Sequence, residues 1–543
     1  MKPGTPARIL KAHGWRSAGF LGGAPRTHRR TCTPAIAHLA MNHGSQTTQN
    51  TAPEPEDAIM RAPSRRATVR LVLCAGILAV LIAWAALWPY TGYNDSALHF
   101  VNLRASVHDA RKALHPWARP IFVLLFILPA MGGILAVRCF AAVLATILAW
   151  QTMRLADDLR LPNATLAGLL LVWQPLYFAL AADTMSEMPM ALGIVLAIRL
   201  WASGRRGASC ALVSFLPMVR PEGFVLVPIW GVMVLAGKAA GPFRRRRVPT
   251  ACLLGAGVLG WMAACWAITG DPIDFIRRWS WPARSYASYG RGHLLHHVFL
   301  WPFYCGPIVL VLFLVGIVPS LRRRMALPWA VWAAVFGVHS VLWWRGWFAA
   351  LGLMRIQACT APVTALVCLY GWNTIASWLA RRGVGRRARR FAAALAMILA
   401  TASVFAYYAF DVRRYRCFPI RRAVAYLREH RLLAAAPAVF ASDHVAWAEM
   451  GLLPTSPRAL ENSYQPAEQL RRLADLPPGS AGVWDNQVGV FWYRVQIDEI
   501  PPLGYEILYE TRQSVPTLPF GISRRIPCHE DVLRYVVLRK LPR

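Results

Sequence analysis

The sequence predicts an all-α polytopic membrane protein that carries a small α/β domain at its C-terminal end. Three observations lead there. Of 543 residues, 56% are apolar and only 16% charged, a balance foreign to soluble domains. Apolar stretches of roughly spanning length recur from residue 67 to residue 410. The polar remainder lies in two blocks, residues 1–66 and 411–543. Abundant aromatics (23 Trp, 16 Tyr, 22 Phe) and only 11 scattered Cys exclude disordered, collagenous and disulfide-scaffold classes.

Taken in order, residues 1–66 read as a disordered basic cytoplasmic tail rich in Pro, Thr, Ser and Ala, with no cleavable apolar signal. Met41 and Met60 are alternative starts. The apolar stretches are 67–88, 134–156, 164–180, 188–202, 210–237, 248–268, 299–319, 327–344, 356–378 and 391–410. The stretch 210–237 is interrupted by Arg220-Pro221-Glu222-Gly223, which is costly in mid-bilayer, so it reads as two short helices with the tetrapeptide at their turn. Since a span needs about 20 helical residues, this gives about eleven crossings.

The net charge of +34 is a topology signal before it is a partner signal, because 32 basic and 9 acidic residues fall in the apolar region 67–410. A nucleic-acid partner is excluded on that distribution. Arg65/Arg66, Arg205/Arg206, Arg244–Arg247, Arg322–Arg324 and Arg381–Arg390 share one side of the map, which the positive-inside bias makes cytoplasmic. Asp157 and Asp158 lie on that side too. Asp95, Asp109, Asp183, Glu187, Glu222, Asp271 and Asp274 all fall on the opposite side, which points to a site at the outer face. An odd number of crossings puts 411–543 outside the cytoplasm. There Ile420–Arg431 has helical spacing, and Ala438–Ser442, Ala481–Trp484 and Val532–Leu538 read as strands. Cys417 and Cys528 stand near the two ends of this block, either as a disulfide or as two buried thiols.

If a helix begins after Asn94, Asp95 and His99 share a face four residues apart, which suits a general base beside an imidazole; a simple helix cap fits equally well. Asp183 and Glu187 flank a very short outer loop, placed either to complement a helix dipole, to assist an acceptor or to hold a divalent cation. Arg220 is a phosphate ligand or a structural partner of Glu222, and Arg345 and Arg355 put further guanidinium groups at the membrane surface. Residues 269–298 alternate aromatic and basic side chains; His293 and His297 are four apart but lack the Glu of a zinc-protease motif. Trp484-Asp485-Asn486, Trp492-Tyr493 and Asp443-His444 read first as strand-end acids and core aromatics, and second as a carbohydrate-facing patch.

In this order the motifs resemble the GT-C superfamily of integral-membrane glycosyltransferases. The resemblance is carried by the Asp95 loop, His115-Pro116-Trp117-Ala118-Arg119-Pro120, Gly132-Gly133 and Arg138. It continues through Asp183…Glu187-Met188-Pro189, Arg220-Pro221-Glu222-Gly223 and Gly352-Leu353-Met354-Arg355…Pro362. It covers residues 67–410. Where the family often has paired acids this chain has Asn94-Asp95, and Ile356 follows the Arg where an aromatic is common.

The resemblance implies a bacterial enzyme of the mannosyltransferase or aminoarabinose-transferase kind, in the inner membrane with its N-terminus cytoplasmic. Its donor would be a polyprenyl-phosphate-linked sugar and its acceptor a hydroxyl on a lipid, protein or glycan. Asp95 would be the catalytic base of an inverting transfer, His99, Asp183 and Glu187 would assist the acceptor or hold Mg2+ or Mn2+, and Arg220, Arg345 and Arg355 would bind the donor phosphate. A lipid-linked-sugar transporter, a glycan polymerase or ligase, and a non-catalytic scaffold are the alternatives. A transporter would show mid-span charges and a hydropathy repeat, neither of which stands out.

Overall fold

The computed structural model describes residues 65–87, 94–236, 246–278, 291–323, 325–348, 352–409, 412–453, 455–515 and 532–542. The N-terminal tail, Cys528 and the aromatic-basic run 279–290 lie outside them. Among the described residues, six helices are long and apolar enough to cross a membrane, namely Arg66–Leu87, Ile134–Asp158, Arg247–Thr269, Ala326–Arg345, Met354–Arg381 and Arg386–Ala406. The chain is a multi-pass membrane protein.

Counting the bent pair below as one span gives seven among the described residues, against the eleven crossings expected from hydropathy. The stretch 299–319 is a pair of helices, His296–Cys305 and Pro307–Leu321, bent by 116°. Gly306 sits at φ +73° between them and Pro307 opens the second, a junction that a straight helix cannot contain. The stretch 164–180 is likewise broken at Gln174-Pro175 into Leu166–Val172 and Pro175–Ala181. Others run short: Glu187–Ala202 has 16 residues and Gly223–Ala236 has 14. An apolar helix not foreseen, Pro120–Met131, follows the first loop; bounded by Arg119-Pro120 and Gly132-Gly133, it is too short to read as a span.

Two features fix the frame around the site. Helices Pro307–Leu321 and Ala361–Arg381 cross backbone to backbone, because a Cβ on Gly316 would lie 1.9 Å from the Val367 carbonyl oxygen and one on Gly371 1.9 Å from that of Leu312. At the Arg220–Gly223 turn, a Cβ on Gly223 would fall 2.2 Å from the Pro217 nitrogen, so the turn closes only with glycine there.

The C-terminal region is a four-stranded sheet flanked by helices. Its strands are β1 (Val439–Ala441), β2 (Ala481–Asp485), β3 (Tyr505–Ser514) and β4 (Val532–Lys540), in the order β1-β2-β4-β3. β1 and β2 are parallel, and β4 runs antiparallel to both of its neighbours. The three foreseen strands and the helix (Val412–Glu429) are present; β3 was missed because its charged, half-exposed residues (Glu506, Glu510, Arg512) give no apolar alternation. Helix His444–Met450 is started by Asp443, whose side chain accepts from the Val445 N–H at 2.8 Å. Its Val445, Ala446 and Trp447 share one apolar core with Ala97, Phe100, Val101 and Leu103 of helix Asn94–His108. The sheet domain is thus packed onto the helix that carries Asp95.

Candidate active site

Helix Asn94–His108 begins where the sequence placed it, with Asp95 in its first turn and His99 one turn on. Five other segments converge on that end. Arg119 precedes helix Pro120–Met131, and Ser186 and Glu187 open helix Glu187–Ala202. Arg220 and Glu222 form the tight turn, His339 comes from helix Ala326–Arg345, and Arg355 comes from the segment before Ala361.

Arg220 is the hub. It faces Glu222 with two parallel bonds, Nε to Oε2 at 2.9 Å and Nη2 to Oε1 at 3.0 Å, the fork geometry that suits guanidinium and carboxylate. Its Nη1 lies 2.8 Å from Glu187 Oε1 and donates to Ser186 Oγ at 3.0 Å. His339 Nε2 stands 3.2 Å from Glu222 Oε1. Arg355 pairs with Asp95 through Nη2, and its Nε is 3.5 Å from Glu187 Oε1. Glu187 is fully buried between the two arginines.

Arg119 differs from these. Buried, with its guanidinium 5.7 Å from the Trp117 ring, it donates to the same Ser186 hydroxyl as Arg220 but forms no carboxylate ion pair among the described residues. Its φ of +63° is unusual for a side-chain-bearing residue, and such outliers gather at functional sites. Burial, then the Arg220 charge, push its pKa down to about 10. Burial would lift the Asp95 carboxyl, but the Arg355 and Arg119 charges offset this and hold it below the usual carboxylate range. Burial and the Arg119 charge push His99 well below its ordinary value, so its imidazole is neutral.

Around this cluster, several buried polar atoms have no hydrogen-bond partner among the described residues: Ser96 Oγ, His99 Nδ1, Arg119 Nε, Thr184 Oγ1 and both amide atoms of Gln357. Neither Glu187 oxygen accepts a well-directed hydrogen bond, despite its ion pairs. Such atoms are open to hydrogen bonds from water or from a polar ligand.

Of the residues singled out from sequence, the structure therefore brings together Asp95, His99, Glu187, Arg220 and Arg355. Asp183 is buried in the adjoining turn, where its Oδ1 accepts from the Thr184 N–H at 2.9 Å; Arg138 props this turn by donating to the Ala182 carbonyl at 3.2 Å. Arg345 lies exposed over Trp344 at 4.2 Å and Trp347 at 5.9 Å, with no ion pair to the cluster among the described residues. Arg119 and His339 were not singled out. The signal for Arg119 was a lone arginine between Trp117 and Pro120; for His339 it was a titratable group inside an apolar span.

Asp95, Glu187 and Glu222 each face a guanidinium, and no three His, Cys, Asp or Glu side chains converge as metal ligands among the described residues. His297 Nδ1 is bonded to the Tyr304 hydroxyl at 2.6 Å and His296 Nε2 to the Gly352 carbonyl at 2.8 Å, so these rings serve packing and the placement of the Arg355 segment.

No family model and no curated protein matches the chain. Among solved structures, it is similar to ArnT from Cupriavidus metallidurans in the apo state, at 11% identity and TM-score 0.55, over 88% of this chain and 100% of that one. It is similar to ArnT bound to undecaprenyl phosphate at 12% identity, with the same TM-score and coverage. A match to the Archaeoglobus fulgidus oligosaccharyltransferase, in the apo form, has TM-score 0.45 at 14% identity over 78% of this chain and 70% of that one. The chain therefore shares the fold of ArnT over 88% of its length.

Proposed function

We propose that the protein is an inverting glycosyltransferase that moves a sugar from a polyprenyl phosphate to an acceptor hydroxyl, at the extracytoplasmic face of a bacterial inner membrane. The observation that carries this reading is the buried Arg119 guanidinium, which lacks a carboxylate partner, standing beside the Asp95–Arg355 pair. A buried unpaired cation is costly and is relieved by an anion. A lipid phosphate at the membrane surface supplies one, and ArnT, whose fold the chain shares, has been captured with undecaprenyl phosphate.

In this mechanism the donor phosphate draws on Arg119 and Arg355. Sharing Arg355 with the phosphate loosens its hold on Asp95 and raises the proton affinity of that carboxylate, so that it becomes a competent base. Asp95 takes the proton of the acceptor hydroxyl, the oxygen bonds to the anomeric carbon, and the bond from that carbon to the phosphate oxygen breaks on the opposite face. The guanidinium groups stabilise the charge that builds on the departing phosphate. Glu222 and Glu187 hold Arg220, which through Ser186 fixes Arg119. Neutral His99 offers one donor and one acceptor to the hydroxyl without competing for its proton. No divalent cation enters the scheme.

The test is sugar release from radiolabelled polyprenyl-phosphate sugars by the full chain in proteoliposomes, comparing wild type, Asp95→Asn and Arg119→Ala. Consumption of one donor by wild type and its loss in both variants supports the reading. A folded wild type that consumes no donor, or an Asp95→Asn that matches it, overturns it.

A further inference from the structure

The loop after β1 presents an aromatic ring in an unusual way. Tyr464 is 66% exposed, yet the backbone on either side of it is tied down. The Ser463 N–H donates to Gln469 Oε1 at 2.6 Å, and the Gln465 N–H to Ser463 Oγ at 3.2 Å. Asn462 donates to the Ala441 carbonyl at 2.7 Å, at the end of β1, and accepts from Gln469 Nε2 at 3.0 Å. The Tyr464 ring stacks on buried Tyr493 with centroids 5.6 Å apart and lies 6.4 Å from half-buried Trp492. An exposed tyrosine on a pinned loop keeps its face open without loss of conformational entropy on binding.

The location is equally specific. The loop is fastened to the end of β1 from which helix His444–Met450 sets out, and that helix packs on the helix bearing Asp95. A flat aromatic face flanked by polar residues (Glu461, Asn462, Ser463, Gln465) suits a sugar ring, whose C–H face packs on the aromatic while its hydroxyls meet the rim. An acyl chain would want a broader apolar surface.

We propose that Tyr464 and Trp492 form a platform for a saccharide ring, and that this ring belongs to the acceptor whose hydroxyl reaches Asp95. The assignment to the acceptor rests on the transferase reading; saccharide binding by the platform does not.

The experiment has a binding arm and a transfer arm, both on the full chain in lipid nanodiscs. Saturation-transfer NMR with maltose, cellobiose and chitobiose compares wild type, Tyr464→Ala, Tyr464→Phe and Trp492→Ala. The expected result is saturation of at least one disaccharide by wild type, a loss of about fivefold in Tyr464→Ala, and retention in Tyr464→Phe, which keeps the ring. Absence of saturation by all three sugars, or an unchanged signal in Tyr464→Ala, overturns the platform. In the transfer arm octyl glucoside and octanol compete as acceptors for the donor that wild type consumes. The glucoside should be preferred, with its KM raised in Tyr464→Ala; equal use of octanol overturns the acceptor assignment. If wild type consumes no donor at all, the transferase reading fails while the NMR result still decides the platform.

Discussion

The two ends of the helical bundle hold their charges in opposite ways. At one end Arg70 meets Asp157, with Nη2 to Oδ1 at 2.9 Å, and Arg199 meets Asp158 at 2.6 Å, one cation to one anion and open to solvent on the carboxylate side. At the other end three arginines and three carboxylates are crowded together and shared: Arg220 serves Glu187 and Glu222, Arg355 serves Asp95 and Glu187, and Arg119 pairs with none among the described residues. The first arrangement is complete in itself. The second has matched charge overall but leaves hydrogen-bonding atoms over, and that surplus separates a reactive surface from a structural one.

The comparison can be broken most decisively at the base. Asp95→Asn is expected to lower sugar transfer by about 100-fold to 10,000-fold with the fold retained, as measured by donor turnover. Removing a buried partner comes next: Glu222→Gln leaves Arg220 and His339 without their shared carboxylate and is expected to cost about 3–5 kcal/mol, read as a fall in thermal midpoint in detergent. At the other end, Arg70→Ala leaves a carboxylate, Asp157, that still reaches solvent, so it should cost less than Glu222→Gln and leave turnover unchanged. An Arg70 variant as damaging as the Glu222 variant would erase the distinction between the two ends.

The pH profile sharpens the same contrast. Because Asp95 is held below the ordinary carboxylate range, it is ionised across neutral pH, and its function is lost only as pH falls through that depressed value. The kcat/KM for donor, which reports the free enzyme, should therefore stay level as acid is added down to about pH 4, whereas kcat, which reports the donor complex in which Arg355 is shared, should begin to fall at a higher pH. His99, pushed well below 6.5, contributes no limb there; an inflection near 6.5 would show that its protonation matters to the rate.

Much of the site was legible because its signals are local. The four-residue spacing of Asp95 and His99, the shortness of the Asp183–Glu187 loop and the adjacency of Arg220 and Glu222 are all properties of neighbouring residues. Arg119 and His339 were hidden because their meaning comes from segments far away in sequence: Ser186 lies 67 positions from Arg119. Arg345 misled for the converse reason. Its partners, Trp344 and Trp347, are its own neighbours, and a guanidinium satisfied by adjacent rings has no need of the distant cluster. The broken spans escaped because hydropathy sums over a window and is blind to the bend at Gly306-Pro307, whereas β3 escaped because a half-exposed strand hides its period in charge.

The shared core between helix Asn94–His108 and helix His444–Met450 has a consequence for how this chain can be divided. Cutting away the sheet domain would not leave a minimal enzyme. It would strip Ala97, Phe100 and Val101 of their cover, loosening the scaffold under the very carboxylate whose chemistry was to be isolated. The sheet domain and the helix bearing Asp95 form one packed unit, so a chimera that exchanges one must bring the other with it or rebuild the seam residue by residue.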